Sequence, residues 1–395
     1  MATYKNNVLK NIALLVVLAR SEDGENGPVL PVKQAISCSC SGICWGRNFD
    51  TSTVLHRKEL EMGKLLGEGA FSQVFAVTGL ELDDDKVLSR LDKGASLSPT
   101  QKDARQQLVF TADLHHPLAV KCLRRNLLQR PEKFHQAVLD MEREAHLLSA
   151  LSHPHIIPLR AVSVGGAQSL QSGNYKDFFL VLDRIQDTLD GRIMTWKNIG
   201  PPAMSTLITY AQQLASALVY LHEQRIIFRD CKPENVGFVS NNGEEERIQL
   251  FDFGLCRLLP TSSSSSSSCY EETFHMSMAG TSRYMAPECH SHSHHKAACN
   301  CKADVYSWAL TVYEMMTQLK PYDHIQNINY FYELVHTMQV RPSLMSLQKG
   351  DSCCPAEIPQ ILEQAWCHSV YERLTMPEVL EQLQAVQHKL IVLQQ

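Results

Sequence analysis

Residues 228–235 read Phe-Arg-Asp-Cys-Lys-Pro-Glu-Asn and follow an apolar stretch, Ser205 to His222, that has the pattern of a helix. An acid, a base and an amide therefore lie close together. Asp230 can accept a proton from a hydroxyl group, Lys232 can neutralise a phosphoryl oxygen, and Asn235 can bind Mg²⁺ through its amide oxygen. By itself such a charged stretch is equally typical of a solvated loop, so its meaning depends on the segments around it.

A carboxylate follows downstream, where residues 251–254 read Phe-Asp-Phe-Gly. Alone, this pattern is more typical of a turn after a buried strand. Mg²⁺ usually takes one or two carboxylates together with phosphate oxygens. Asp252 and Asn235 would then supply the protein ligands of a magnesium ion.

A glycine-containing turn lies upstream, where residues 67–74 read Gly-Glu-Gly-Ala-Phe-Ser-Gln-Val. The alternation of apolar and polar residues from Leu60 to Ala76 predicts a strand–turn–strand hairpin. Glycine allows a tight turn and a close approach of the backbone to phosphate oxygens, although two glycines in a turn more often mark only a hairpin. The pattern is not a dinucleotide fingerprint, because a strand and not a helix follows it.

Two further charged residues gain meaning only as a pair. Lys121 lies in the predicted strand Leu118 to Leu123, where a lysine is usually a surface residue. Glu144 lies in the segment Pro131 to Leu151, whose apolar spacing predicts a helix. A lysine held by a helix glutamate would be positioned as a point charge on phosphate groups.

In this order along the chain, these segments resemble the eukaryotic protein kinase family. Residues 280–288 (Gly-Thr-Ser-Arg-Tyr-Met-Ala-Pro-Glu) resemble the end of an activation segment, and residues 304–308 (Asp-Val-Tyr-Ser-Trp) resemble the start of a buried anchoring helix. Arg373 stands where the family pairs an arginine with the Ala-Pro-Glu glutamate, here Glu288. The resemblance covers about Leu55 to Leu390.

The resemblance implies an α+β, two-lobed protein kinase fold. The N-lobe would contain a small antiparallel β-sheet with one helix, the C-lobe would be larger and mainly α-helical, and ATP would lie between them. Glu144 is the expected partner of Lys121, because its separation along the sequence from His153-Pro154 is the one usual in the family. Glu142 is the alternative. The residues implied in catalysis are Asp230 as the base, Lys232, Lys121 and Glu144, with Asn235 and Asp252 as Mg²⁺ ligands.

The resemblance also implies an ATP site. Leu182 would be the gatekeeper, and residues 183–185 would be the hinge that binds adenine through its backbone. The expected ATP-binding residues are Leu66, Gly67, Glu68, Gly69, Ala70, Phe71, Ser72, Val74, Ala119, Lys121, Leu182, Asp183 and Ile185.

The substrate class follows from two positions of the same resemblance. Lys232, followed by Pro233, is similar to the serine/threonine kinases, and Thr281 is similar to their tyrosine-kinase-like branch. We therefore expect an ATP-dependent protein serine/threonine kinase in intracellular signalling, with dual specificity as the alternative. Its expected partner is a protein substrate.

Three positions depart from the family pattern. Ser72 replaces the third glycine of the loop, Phe228 replaces the usual histidine, and Cys231 replaces an apolar residue. None of these changes removes a charge or a metal ligand, which argues against a pseudokinase scaffold. A small-molecule or lipid kinase is a further alternative, and the Ala-Pro-Glu segment favours a protein substrate over it.

A regulatory site is a further hypothesis. Arg229 precedes the catalytic aspartate, and in the family such an arginine often binds a phosphate on the activation segment. Ser277 is the first candidate for the acceptor and Thr273 is the second.

The predicted organisation is a leader of unknown structure, residues 1–54, and a kinase domain, residues 55–393. The N-lobe would span 55–185 with an inserted surface loop at about 80–116, because that stretch is polar and charged. The C-lobe would span 186–393 and contain a poly-serine loop at 261–269, since such a run buries too little surface to fold.

Composition narrows the possible partners of the chain. Its 395 residues carry a formal net charge of −5, so no basic excess indicates nucleic acid. No stretch reaches the length and apolar content of a membrane span. Oligomeric state is left open by the sequence.

The 13 cysteines are scattered and odd in number, which favours reduced thiols and a cytoplasmic location. A signal peptide at residues 1–19 is the alternative. The His/Cys-rich stretch 289–301 matches no standard zinc spacing, so we favour a polar loop over a zinc site there.

Overall fold

A computed structural model describes residues 53–89, 96–113, 117–172, 174–240, 245–260, 268–290, 297–325, 327–348 and 354–394. These residues form two compact units. The first unit comprises the described residues up to Ser152 together with Ile157–Arg184, and the second comprises His153–Ile156, Ile185–Ser240 and the described residues from 245 onward. The predictions for residues 1–52, including the signal peptide, and for the serines 262–267 lie outside the described residues.

The first unit is built on a six-stranded sheet. Its strands, in sheet order, are β1 (Val54–Leu55), β5 (Leu159–Ser163), β6 (Phe179–Asp183), β4 (Leu118–Leu123), β3 (Ser72–Leu80) and β2 (Leu60–Glu68). All neighbouring strands are antiparallel except β1 and β5. The predicted hairpin is confirmed as β2 and β3.

The two faces of this sheet are both covered. Because side chains alternate along a strand, Leu180 in β6 faces a cluster with Phe134 and Met141 of helix α3 (Pro131–Ala150). Its neighbour Phe179 faces the opposite cluster. The predicted helix 131–151 is thereby confirmed, and Pro131 suits its first turn because no backbone N–H is needed there.

The prediction of a surface loop at about 80–116 is wrong in part. This stretch contains two helices, α1 (Asp84–Leu88) and α2 (Pro99–Asp113). Leu108 of α2 packs into the cluster on the second face of the sheet. The segment is polar on average, and a few apolar side chains are enough to fold it against the sheet.

An ion pair fixes α2 in place. Arg105 is 1% exposed and donates to the carboxylate of Glu59 at 2.5 Å and to the carbonyl oxygen of Val54 at 2.5 Å. It also donates to Asp84 at 3.2 Å. The inserted helix is therefore tied to α1 and to the chain around β1.

The second unit is mainly helical. Its helices are α4 (Leu189–Ile199), α5 (Met204–Glu223), α6 (Lys302–Thr317), α7 (Ile328–Tyr332), α8 (Met345–Gln348), α9 (Glu357–Ala365) and α10 (Met376–Gln394). Its short strands form three small sheets: β7 (Asp187–Thr188) with β9 (Val236–Val239) and β10 (Arg247–Leu250), β8 (Ile226–Ile227) with β11 (Arg257–Leu258), and β12 (Phe274–Met276) with β13 (Ala297–Cys299).

Helix α6 forms the centre of the second unit. Its residues from Lys302 to Met316 are all buried, as expected for the buried anchoring helix that the resemblance implies. Trp308 donates its indole N–H to the carbonyl oxygen of Ala211 in α5 at 3.2 Å. The first unit with its sheet and the helical second unit together confirm the predicted α+β class. In the described part of the chain, no helix combines the length and apolar character needed to cross a membrane.

The Arg105 ion pair leads to a testable prediction. Arg105→Met should lower the local free energy of unfolding around β2 by about 3 to 5 kcal/mol, because Glu59 would stay buried without its counter-charge. Hydrogen–deuterium exchange of the β2 amides would measure this loss.

Lys102→Met is the matched control, since Lys102 lies on the same helix, is exposed, and approaches Asp84 only to 3.9 Å. We expect its effect to stay within about 0.5 kcal/mol. Equal exchange in both variants would contradict a structural role of Arg105.

Candidate active site

The glycine turn lies between β2 and β3 of the first unit. The N–H of Gly69 donates to the carbonyl oxygen of Ser72 at 2.8 Å, which closes the turn. A Cβ added at Gly67 would meet no atom within 4 Å, and neither glycine has a positive φ. The fold itself therefore does not require Gly67, and its lack of a side chain leaves the backbone open to a ligand.

An arginine that the sequence analysis missed holds this turn. Arg124 follows β4, and its N–H donates to the carbonyl oxygen of Phe71 at 3.0 Å. Its guanidinium donates to the carbonyl oxygen of Gly69 at 2.9 Å and lies 3.6 Å from Glu68. No local signal distinguishes Arg124 from its neighbours, because all of these contacts depend on the sheet.

Lys121 lies in the middle of the sheet, where β4 pairs with β3 at Val74 and with β6 at Leu180. Its Nζ contacts both carboxylate oxygens of Glu144, at 2.8 and 2.7 Å. Lys121 is 7% exposed and Glu144 2% exposed, so the pair is nearly dry. The alternative, Glu142, contributes its backbone carbonyl oxygen to a contact with His146.

The remaining residues expected at ATP divide between the two units. In the first unit, Ala119 pairs with Leu182 across β4 and β6, and the Asp183 carboxylate accepts two hydrogen bonds from Arg160 at 2.5 and 2.7 Å. In the second unit, Ile185 packs so closely on Gly237 that a Cβ there would lie 2.5 Å from its side chain.

Leu66 and Ala70 flank the two glycines of the turn. Leu66 is half-buried near the end of β2, and Ala70 is exposed at the tip of the turn.

Asp230 of the second unit lies at the centre of a hydrogen-bonded group. Its Oδ1 accepts from the N–H and the hydroxyl of Thr281, at 2.9 and 2.8 Å. Its Oδ2 accepts from Asn235 at 3.0 Å and lies 2.7 Å from Lys232 Nζ. Lys232 also donates to the Thr281 hydroxyl at 2.8 Å. An acid, an ammonium group and a hydroxyl are thus held in contact.

The side-chain amide of Asn235 is oriented as a metal ligand would be. Its amide N–H groups point to the carbonyl and carboxylate oxygens of Asp230, at 2.8 and 3.0 Å. The amide oxygen is the remaining polar atom, and oxygen is the ligand that Mg²⁺ takes. This orientation fits a magnesium site to which Asp252 would contribute its carboxylate.

The loop that carries Asp230 is fixed by a buried carboxylate. Asp304, at the start of α6, is wholly buried and accepts from the backbone N–H groups of Phe228 and Arg229, both at 2.8 Å. It also contacts His222 Nε2 at 2.9 Å. Arg229 has a φ of 77°, a strained conformation that these bonds stabilise. Asp304 lies in the expected anchoring helix, whereas no local sequence pattern marks His222 as its partner.

Aromatic packing fixes the second carboxylate loop. Phe253 is wholly buried and packs edge-on against Phe228, with ring centroids 5.2 Å apart. Phe228 therefore occupies the histidine position of the family as a packed aromatic ring. Asp252 precedes it with a φ of 64°, in the left-handed region.

The activation segment approaches the loop that carries Asp230 through Gly280. A Cβ at Gly280 would lie 2.5 Å from the carbonyl oxygen of Arg229, and its φ of 118° favours glycine. Gly280 thus allows Thr281 to reach Asp230.

An ion pair and a tyrosine fix the far end of the segment. Arg373 makes two hydrogen bonds to Glu288, at 2.6 and 3.0 Å. The Tyr284 hydroxyl donates to Glu314 of α6 at 2.5 Å. Burial raises the pKa of Glu314 to about 7 from its ordinary value of 4.5.

The comparisons with known proteins agree with this arrangement. The family model described as "Protein kinase domain" matches residues 108–384, which is more than half of the chain. The chain therefore belongs to the protein kinase family. The match begins inside α2, so the glycine turn lies outside it.

Curated relatives are protein kinases as well. The chain is 28% identical over 240 residues to the "Putative mitogen-activated protein kinase kinase kinase 7-like" of Drosophila melanogaster, covering 60% of this chain and 54% of that protein. It is 27% identical over 259 residues to the human "Mitogen-activated protein kinase kinase kinase 11", covering 64% and 26%. It is 32% identical over 182 residues to the "Serine/threonine-protein kinase pkn2" of Myxococcus xanthus, covering 46% and 19%. The chain thus spans about half or less of these relatives.

The Glu314 carboxyl leads to a prediction on pH. Since its folded pKa of about 7 exceeds the ordinary 4.5, the folded state binds the extra proton between these values. Stability should therefore fall as the pH rises through this window. Glu314→Gln should remove this fall, on the order of 3 kcal/mol, at 1.36 kcal/mol per pKa unit.

Urea unfolding followed by tryptophan fluorescence would measure the difference between wild type and variant at each pH. The exposed Glu363 supplies the control Glu363→Gln, for which we expect a difference that does not change with pH. A Glu314→Gln curve parallel to that of wild type would contradict the raised pKa.

Proposed function

We propose that this chain is an ATP-dependent protein serine/threonine kinase that acts in signalling. The observation that carries the proposal is the contact of Asp230 with both Lys232 and Thr281 in the second unit. The buried Lys121–Glu144 ion pair of the first unit supports the proposal. Membership of the protein kinase family and the names of the relatives agree with this class.

The proposed chemistry is transfer of the γ-phosphoryl group of ATP to a hydroxyl oxygen. Asp230 would accept the hydroxyl proton as the new oxygen–phosphorus bond forms, and Lys232 would neutralise charge on the transferred group. Bound Mg²⁺, held by Asn235 and Asp252, would neutralise the phosphate oxygens.

Lys121 and the glycine turn of the first unit would contribute to holding the nucleotide. Lys121 would place its charge on the α and β phosphates, and Glu144 keeps its ammonium group in position. The open backbone at Gly67 would cover the phosphates. The roles of the other expected ATP-binding residues remain proposals on the same basis.

The two rival functions are less well supported. A pseudokinase scaffold would need the loss of a catalytic charge, whereas Lys121, Asp230 and Asp252 are all retained. A small-molecule or lipid kinase would not need the Thr281 contact or the Glu288–Arg373 pair, both of which fix a segment suited to a protein substrate.

A phosphorylation assay tests the proposal. The full chain should transfer label from ATP, with Mg²⁺, to serine or threonine of a generic basic protein. Lys121→Met and Asp252→Asn should each reduce this transfer at least about 100-fold, because each removes a charge acting on the phosphates. Phosphoamino acid analysis of the product identifies the acceptor class.

The matched control is Lys133→Met, which removes an exposed lysine of α3 and should leave the rate unchanged. Label on tyrosine as well would favour dual specificity. No transfer by wild type, even after phosphorylation of the activation segment by another kinase, would favour the scaffold.

We also propose that Ser277 is a regulatory phosphorylation site. The guanidinium of Arg229 donates to the carbonyl oxygen of Ser277, and the Ser277 side chain is exposed. A phosphate there would meet a fixed arginine and form charge-assisted hydrogen bonds. Thr273 is exposed too, but Arg229 makes its contact at Ser277, which favours Ser277.

This regulation has its own test. Ser277→Ala should lower the activity of phosphorylated protein about tenfold, because the arginine–phosphate bonds cannot form. Thr273→Ala is the matched control and should keep full activity. Undiminished activity of Ser277→Ala would remove Ser277 from the regulation.

A further inference from the structure

Two cysteines close the segment that carries Ser277 and Thr281. The N–H of Cys301 donates to the carbonyl oxygen of Cys269 at 3.3 Å, and each thiol is close enough to shift the pKa of the other. A backbone hydrogen bond places the Cα atoms of its two residues at most about 7 Å apart, given the standard backbone bond lengths. A disulfide accepts Cα separations of about 4.4 to 6.8 Å. The pair is therefore close enough to be joined.

The two thiols differ in reactivity. Cys269 is 6% exposed and Cys301 is not exposed at all, so an oxidant reaches Cys269 first. The neighbouring Cys301 thiol, with the nearby charge of Arg225, lowers the pKa of Cys269. Burial raises the pKa of Cys301 well above its ordinary value. Because the thiolate is the nucleophile, Cys269 is the attacking residue and Cys301 the resolving one.

We propose that Cys269 and Cys301 form a reversible disulfide when the protein meets hydrogen peroxide. The sulfur of Cys269 attacks one peroxide oxygen, the O–O bond breaks, and the second oxygen leaves as water with the thiol proton. The sulfur of Cys301 then attacks the resulting sulfenic acid, the S–O bond breaks, and the hydroxyl leaves as a second water with the proton of Cys301. Two thiols are oxidised and one peroxide is reduced.

The disulfide would act directly on the catalytic loop. The carbonyl oxygen of Cys301 accepts from the N–H of Asp304 at 3.1 Å, and Asp304 holds the loop. The sulfur of Cys269 donates to the carbonyl oxygen of His222 at 3.5 Å, and the Tyr270 hydroxyl contacts His222 Nδ1 at 2.8 Å. A covalent bond would therefore join both ends of the segment at the loop's anchor.

A second thiol pair supplies an internal comparison. In the pair Cys289 and Cys299, the neighbouring Cys299 thiol and burial raise the pKa of Cys289 well above its ordinary value. We expect this pair to oxidise later. Within the described ranges, no three His, Cys, Asp or Glu side chains form a metal site.

Peptide mapping of the full chain tests the proposal. Reduced protein is treated with limiting hydrogen peroxide, alkylated and digested, and the cross-linked peptides are identified by mass spectrometry. We expect a Cys269–Cys301 cross-link that a reductant removes and that forms before any Cys289–Cys299 cross-link. The oxidised protein should also unfold at a temperature higher by on the order of 5 °C.

Variants separate the two cysteines from general oxidation. Cys269→Ser and Cys301→Ser should lose both the cross-link and the thermal shift. Cys354→Ser, at a thiol that contacts only the neighbouring Pro355 carbonyl among the described residues, should keep both. If either of the first two variants fails to fold, the order in which the wild-type thiols lose their reaction with the alkylating agent tests the proposal. We expect Cys269 and Cys301 to lose it before Cys289 and Cys299.

Three results would overturn the proposal. The first is a Cys269 that stays open to alkylation after peroxide treatment. The second is oxidation of Cys269 beyond sulfenic acid without a cross-link. The third is zinc bound to these thiols in the purified protein, detected by metal analysis. None of these measurements depends on kinase activity, so they are independent of the proposed function.

Discussion

The carboxylate of Asp304 fixes the parts of the second unit on which the proposed chemistry rests. It is wholly buried, and three donors offset the cost of burying its charge: two backbone N–H groups of the loop that carries Asp230 and the imidazole of His222. Helix α6 carries Asp304 and is buried on every side, so the carboxylate has a fixed position. Arg229 can then keep a strained φ, which places Asp230 beside Thr281 and Lys232.

Much of this arrangement was predictable, because it is encoded locally. The hairpin around Gly67 and helix α3 each follow from a repeating pattern of apolar residues, and the buried helix α6 follows from the resemblance of residues 304–308 to the kinase family. The contacts that could not be predicted from the sequence join residues far apart along the chain. Arg105 and Glu59 are 46 positions apart, and His222 and Asp304 are 82 apart. A buried arginine in a polar segment looks, in sequence, like any surface arginine, and so helix α2 was predicted as a loop.

The three departures from the family pattern are each absorbed by a different means. Ser72 keeps the turn closed through its backbone carbonyl, which requires no glycine. Phe228 packs edge-on against Phe253. Cys231 is completely buried near the Thr311 hydroxyl, at 3.8 Å, and acts as a small apolar residue. Each of the three residues acts through a backbone hydrogen bond or through the packing of its side chain. The charged residues around it therefore stay in place.

The buried ion pairs are better explained by geometry than by stability. Desolvating two charges can cost as much as their attraction returns, yet Lys121–Glu144 is nearly dry, and in Arg373–Glu288 the arginine is fully buried and the carboxylate 15% exposed. Arg373 donates to Glu288 twice and also to the carbonyl oxygens of Cys367 and Lys302, at 3.0 and 2.9 Å. Only the planar fork of arginine reaches all of these acceptors at once. A lysine would keep the charge and lose the geometry, so what this pair contributes is the position of the activation segment rather than a gain in free energy.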